Sequence, residues 1–247
     1  MIKDRDYYSF GFFVPYSIKP EPSIIAKLLT HFKEWNLLPN TLQKQGVFQE
    51  SPLNSIYQLQ LFTENKELVI DFEPFRYHIQ SFGIKEGAIL SFDEFVKRSE
   101  KLVSFMYELN NMKAHRLSFA TKALCKEMTK DKLVDVNKKL FNLPQIFNDN
   151  EPIEWSSRQI TRIERNINDR AEIINLITDV NRIQGVLSSE GSDVNFDRIE
   201  IKFDINTFQG NTDQRFDYKD VSPFLNLAND LKNEIEKELK STFYEEE

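Results

Sequence analysis

The sequence predicts an α+β fold: two similar βαβββα halves, a mainly antiparallel sheet, and four helices packed on one face of it. Three observations carry that expectation. Apolar and polar residues alternate with period two over several short segments, which is the pattern of half-buried strands. Four longer segments repeat their apolar residues at helical spacing. The two halves also match at a constant offset of 105 residues: Lys27-Leu28-Leu29 with Lys132-Leu133-Val134, Leu38-Pro39 with Leu143-Pro144, and Glu67-Leu68-Val69 with Glu172-Ile173-Ile174. A shared offset points to an internal duplication, with a first half over 1–111 and a second over 112–247.

The clearest strand is Ile199-Glu200-Ile201-Lys202-Phe203-Asp204-Ile205, with four apolar residues on one face and three charged ones on the other. Near the N-terminus Tyr8, Phe10, Phe12 and Val14 make a similar apolar face. Between Ile56 and Phe82 three strands read as a meander: Tyr57, Leu59 and Leu61; then Leu68, Ile70 and Phe72; then Phe75, Tyr77 and Ile79. Glu64-Asn65-Lys66 and Pro74 punctuate them. Leu117, Phe119 and Ala123 mark another strand.

The helices fall at about Pro22 to Trp35, from Ser91 through Leu109, at about Thr129 to Phe141, and from Ser222 through Phe243. Ser91 and Glu94 have capping-box spacing, and Pro22 suits a first turn. Ser222 ahead of Pro223 reads as the N-cap of the last helix. The segment from Ile153 to Leu187 fits two templates. Ile160, Ile163, Ile167, Ile174 and Ile177 fit a heptad seam, but β-branched residues and the Asn166-Ile167-Asn168-Asp169 turn favour two strands.

At 247 residues the chain can bury roughly 70–75% of its unfolded surface. One cysteine, Cys125, excludes an internal disulfide and any site needing several thiolates. Seven glycines argue against phosphate-cradling loops, which need several close together. The stretch from Ser9 to Ile18 is about half the ~20 residues needed to span a bilayer. The expectation is a soluble cytoplasmic protein with no membrane partner. Net charge is −7, yet Lys113 to Arg170 carries 12 basic against 8 acidic residues, and Asp220 to Glu247 carries 3 against 8. Such segregation can steer a partner.

The Ile70-Asp71-Phe72 strand leading into Phe75-Arg76-Tyr77, the strand running from Ile201 to Phe208, and the amphipathic C-terminal helix together carry a resemblance. In these places and in the order of its elements, most of the chain resembles a sporadically distributed family of uncharacterised bacterial proteins. The resemblance implies a bacterial accessory gene of a mobile or defence-related locus. That family carries no established active site, so the resemblance assigns no functional residue.

No Gly-x-Ser-x-Gly elbow and no His-Glu-x-x-His motif occurs. No catalytic residue, metal ligand or cofactor is therefore expected. His31 reads as a solvated helical residue, His115 as a strand-end or core residue, and Cys125 as a packed hydrophobe. His78 stands between Arg76 and Gln80 on the polar side of its strand. If the helices cover only the apolar side, Gln58, Gln60, Asp71, Glu73, Arg76, His78, Gln80, Arg116, Ser118, Lys122, Glu200, Lys202 and Asp204 share one open polar face. Arg158, Arg162, Arg165 and Arg170 with Trp155 form the densest arginine group, of a kind that can hold single-stranded RNA.

These features favour a non-enzymatic protein-interaction or regulatory accessory module, with another protein as partner and homo-oligomerisation open. The alternatives are an enzyme or nucleotide-responsive effector centred on Asp71, Arg76 and His78, and an RNA-binding protein using Arg158, Arg162 and Arg165. Arg116 joins the candidate binding residues on the polar face.

Overall fold

The computed structural model describes residues 2–16, 21–45, 55–83, 89–189 and 192–244. Ile18, Glu245–Glu247 and the side chain of Tyr57, which entered the sequence reading, lie outside what is described. The chain runs β1 (Ile2–Phe13), α1 (Pro22–His31), β2 (Leu37–Gln45), β3 (Ser55–Thr63), β4 (Leu68–Glu73), β5 (Arg76–Phe82) and α2 (Phe92–Asn110). It continues with β6 (Arg116–Cys125), α3 (Lys130–Leu140), α4 (Gln145–Asp149), β7 (Trp155–Ile167), β8 (Arg170–Ser189), β9 (Ser192–Thr207) and α5 (Val221–Phe243). One nine-stranded sheet has the order β2-β3-β4-β5-β1-β6-β9-β8-β7. Every neighbouring pair is antiparallel.

The alternation read from the sequence sets the faces. Phe10 and Phe12 of β1, Leu59 and Leu61 of β3, Ile70 and Phe72 of β4, Tyr77 and Ile79 of β5, and Leu117 and Phe119 of β6 are all buried. They form one core with Leu28 of α1, Phe95, Leu102 and Met106 of α2, and Phe224, Leu225, Ala228 and Leu231 of α5. A second, smaller core joins Cys125, Ile199, Ile201 and Phe203 to Leu133 and Val136 of α3 and to Phe243 of α5. Helix α5 has 23 residues, about 35 Å at 1.5 Å per residue, which lets it reach both cores.

Local signals place most boundaries. Ser91 Oγ accepts the Glu94 amide N–H at 3.2 Å, and Thr129 Oγ1 accepts that of Lys132 at 3.3 Å. Residues 153–187 form the β7–β8 hairpin, turning at Asn168, whose φ is 53°. The left-handed conformation is one that asparagine tolerates.

Three expectations need correction. The described residues hold five α-helices, because the short α4 follows Pro144. The first half holds four strands after its first helix is counted past, not three, because β2 precedes the meander. Its apolar pattern is weak and Pro39 interrupts it, which suits a strand at the sheet edge, where one side of the backbone has no partner. Ser222 does not cap α5. A 3-10 turn at Tyr218–Asp220, closed by a capping box between Asp217 and Asp220, leads directly into Val221.

Candidate functional site

The cross-strand register lines up one residue from each strand. Asn40, Gln60, Asp71, His78, Gly11, Ser118, Asn206, Asn175 and Arg162 stand side by side from β2 to β7. At about 4.8 Å per strand the row is on the order of 40 Å long. Its members alternate along each strand with the core residues that pack on α1, α2 and α5, so the row lies on the opposite side of the sheet. All its members are polar except Gly11, at its centre. A Cβ there would lie 2.6 Å from Ser118 Oγ and 3.4 Å from Arg76 Cδ, so glycine lets these side chains close in.

Asp71, Glu73 and His78 converge within this surface. Asp71 and His78 are direct cross-strand partners, as are Glu73 and Arg76 on either side of the Pro74-Phe75 turn. Phe75 holds that turn with a φ of 66°, a costly conformation for a bulky residue, and its ring is exposed beside the site. One ligand atom each from Asp71, Glu73 and His78 lie within 4.8 Å of one another.

The surroundings fix these groups. Gln60 Nε2 donates to Asp71 Oδ1 at 2.8 Å, and Gln58 Nε2 reaches the same oxygen at 3.4 Å. Arg76 donates to Glu73 Oε2 from Nε at 3.1 Å and from Nη2 at 2.6 Å. Ser9 Oγ and His78 Nε2 are hydrogen-bonded at 2.6 Å. The histidine tautomer sets the direction: with the proton on Nε2, Ser9 accepts and Nδ1 keeps its lone pair. Ser9 and Asp71 are each only 8% exposed, although they lie on the side of the sheet opposite the core residues of α1, α2 and α5. Gln58, at 1%, carries a buried Oε1 with no hydrogen-bond partner. An acceptor left unsatisfied beside a buried carboxylate is costly, and a cation or its bound water would satisfy it.

Burial, then the positive charge of Arg76, pushes the His78 pKa down to about 4, against a smaller opposing effect of Glu73. The imidazole is therefore neutral at pH 7, the form that ligates metals and accepts protons.

The other sequence candidates are divided. Arg76 and Arg116 lie on either side of the Phe13 ring, at 5.6 and 4.8 Å from its centre. Phe13 pairs with both across β1, so the register brings all three together. The arginines of β7 disperse. Arg158 pairs with Asp179 at 2.7 Å. Arg162 joins the polar row, bonded to Asn175 at 3.0 Å and resting over Phe208. Arg165 has the opposite strand parity and donates to the Glu164 carbonyl. Arg170 turns to Glu172 and Asp220. No single arginine patch results. Lys122 is held between Asp6 and Glu200. His31 stacks on Phe105, His115 stands just before β6, and Cys125 is buried with its thiol pushed up to about 12. Ser9, Gly11 and Phe13 were absent from the sequence candidates. Their signal was the odd-numbered side of β1, read only for its even-numbered apolar side.

No family model matches the chain, and no curated protein matches it. It is similar to a solved structure of the rolling circle replication initiator protein from Geobacillus stearothermophilus, at 11% identity and a TM-score of 0.30, over 94% of this chain and 79% of that one. A likeness at that level establishes neither fold nor function for this chain. The expected non-enzymatic interaction or regulatory module is nonetheless corrected. Its premise, the absence of any constellation of chemically capable groups, fails at Asp71, Glu73 and His78, which bring a donor atom each within 4.8 Å of one another. Among the described residues no helix is long and apolar enough to cross a membrane.

The His78 environment gives a testable sign. Between about pH 6.5 and 4 the unfolded chain binds a proton at His78 that the folded chain refuses. Stability therefore falls as pH drops through that window, by up to about 3 kcal/mol from this group. Urea unfolding of metal-free protein at about pH 7 and pH 5 should show a larger loss for the native chain than for His78→Gln. Equal losses would contradict the assignment.

Proposed function

We propose that the open face is the site of a divalent-cation-dependent enzyme that hydrolyses or transfers a phosphoryl group. The observation that carries this reading is the convergence of donor atoms of Asp71, Glu73 and His78 within 4.8 Å. Two carboxylates and one neutral imidazole form a mixed oxygen and nitrogen set, suited to Mn²⁺ or Zn²⁺. A bound ion of this kind supplies an acidified water and a Lewis acid for an anionic substrate.

The residues around the cluster support the same reading. Gln60 and Gln58 orient Asp71, and Ser9 fixes the His78 ring, as outer partners of metal ligands do. Arg76 engages Oε2 of Glu73 through two donors and so holds that carboxylate in place. Burial of Ser9 disfavours a nucleophilic role, because substrate could not reach its hydroxyl. Its task is to position His78.

Calorimetric titration with MnCl₂ tests the proposal. The native chain should bind one ion, Asp71→Asn should bind at least about tenfold more weakly with its thermal midpoint kept, and Ser9→Ala should bind with a smaller loss. Mn²⁺-dependent hydrolysis of bis(p-nitrophenyl) phosphate should disappear with Asp71→Asn. Failure of the native chain to bind either Mn²⁺ or Zn²⁺ would refute the reading.

We also infer that residues 1–111 and 112–247 are copies of one unit. Outward from the β1–β6 pair, the sheet runs β5, β4, β3 on one side and β9, β8, β7 on the other. Each side thus meets its first, last, middle and earliest meander strands in the same order, and β2 extends only one side. The two segments, co-expressed as separate chains, should co-purify as a one-to-one complex with the far-ultraviolet dichroism of the intact chain. Segments that never associate would place the boundary elsewhere.

A further inference from the structure

Among the described residues of the open face, Arg116 is a cation with no ion pair and no side-chain hydrogen bond. Its guanidinium rests on the Phe13 ring at 4.8 Å, and its Nε is buried without a hydrogen-bond partner. Asp204 is the carboxylate that acts on it, from beyond ion-pair distance, while Arg76 opposes it from across the ring. Burial first of all lowers the Arg116 pKa, but a guanidinium remains charged at neutral pH. Two arginines drawn around one aromatic ring, one of them already spent on Glu73 and the other with open donors, repel each other in the free protein. Such an arrangement is stabilised when an anion arrives.

The position of this pair matters as much as its charge. Arg76 and His78 lie two residues apart on the same side of β5, roughly 7 Å along the strand. Arg116 follows Phe13 in the neighbouring row, directly beside Ser118 in chain direction. Arg116 therefore lies across β1 from Arg76 and His78, two strand spacings or roughly 10 Å away, on the same face as the Asp71, Glu73 and His78 cluster but outside it. No carboxylate of that cluster faces Arg116 closely enough to pair with it, whereas Glu73 is already shared with Arg76.

We propose that Arg116, aided by Arg76 across the Phe13 ring, is the seat of a phosphate group on the ligand whose reacting end lies at the Asp71, Glu73 and His78 cluster. This deepens the reading of the face as a phosphoryl-transfer site and rests on it for the ligand's reacting end alone. The fork of the guanidinium matches two oxygens of a tetrahedral oxyanion, and the Phe13 ring holds its plane in place. The substrate class is accordingly a phosphoester carrying at least one phosphate beyond the group at the cluster.

Titration with inorganic phosphate in resin-treated, metal-free, low-salt buffer tests the seat apart from the cluster. The native chain should show saturable one-to-one binding that weakens steeply with added NaCl. Arg116→Gln should weaken it about tenfold or more, Arg116→Lys should weaken it less, and Asp71→Asn should leave it unchanged or tighter. Thermal midpoints of all three variants check that they fold, and Arg116→Lys carries the comparison if Arg116→Gln does not. Absence of saturable binding to the native chain, or equal binding by the folded Arg116 variants, overturns the seat. Phosphate binding by a chain that takes up no Mn²⁺ or Zn²⁺ would keep the seat and remove the cation reading, so the two fail separately.

Discussion

The antiparallel ladder between β1 and β6 is the constraint on which the rest of the structure depends. It joins the two halves of the sheet, and it fixes which side of every other strand faces the helices. A slip of one residue in that ladder would keep Phe10 and Phe12 in the core only by turning Leu117 and Phe119 outward and bringing Ser118 and Ala120 inward. The apolar side thus determines the register, and the register in turn assembles the polar row. The site is a by-product of core packing in this sense: its members are carried into line by residues on the opposite face. Glycine at position 11 fits the same register, since a Cβ there would force Ser118 Oγ out of its place at the middle of the row.

An open sheet face ordinarily leaves its polar groups in water, where ionisable residues keep their usual properties. Here long neighbours bury Gln58, Ser9 and Asp71 almost completely. Partial exclusion of water has two consequences. It keeps His78 neutral through physiological pH, and it strengthens the pull of the carboxylates on any cation. The same exclusion makes Arg116 costly until an anion meets it. Cation-attracting and anion-attracting groups therefore stand side by side, separated by the stem of Arg76 and the Phe13 ring. That adjacency is what a phosphoryl group and its metal require of a protein surface.

Much of this architecture was legible in the residues. Period-two alternation located six of the nine strands, β-branched residues and a turn signal gave the β7–β8 hairpin, and the helical stripes located the four longer helices. Strand β2 was not legible because an edge strand buries little and Pro39 breaks its pattern. The shared polar face was also legible, since it follows from strand parity once one side is assigned to the core. The cluster within it was not. Asp71, Glu73 and His78 become neighbours through one hairpin, but Gln58, Gln60 and Ser9 reach them only through pairing with β3 and β1, which no local spacing encodes. The arginine run of β7 misled for the complementary reason. Its members are close in sequence, but alternation and cross-strand partners send them to different neighbours.

The central claim is that the apolar register builds a cation site on the opposite face. Anomalous diffraction from crystals of the native chain soaked in MnCl₂ addresses it most directly. The strongest manganese peak should lie in contact with carboxylate oxygens of Asp71 and Glu73 and a ring nitrogen of His78. A map with no peak there, or with its strongest peak at a different group of residues, would contradict it.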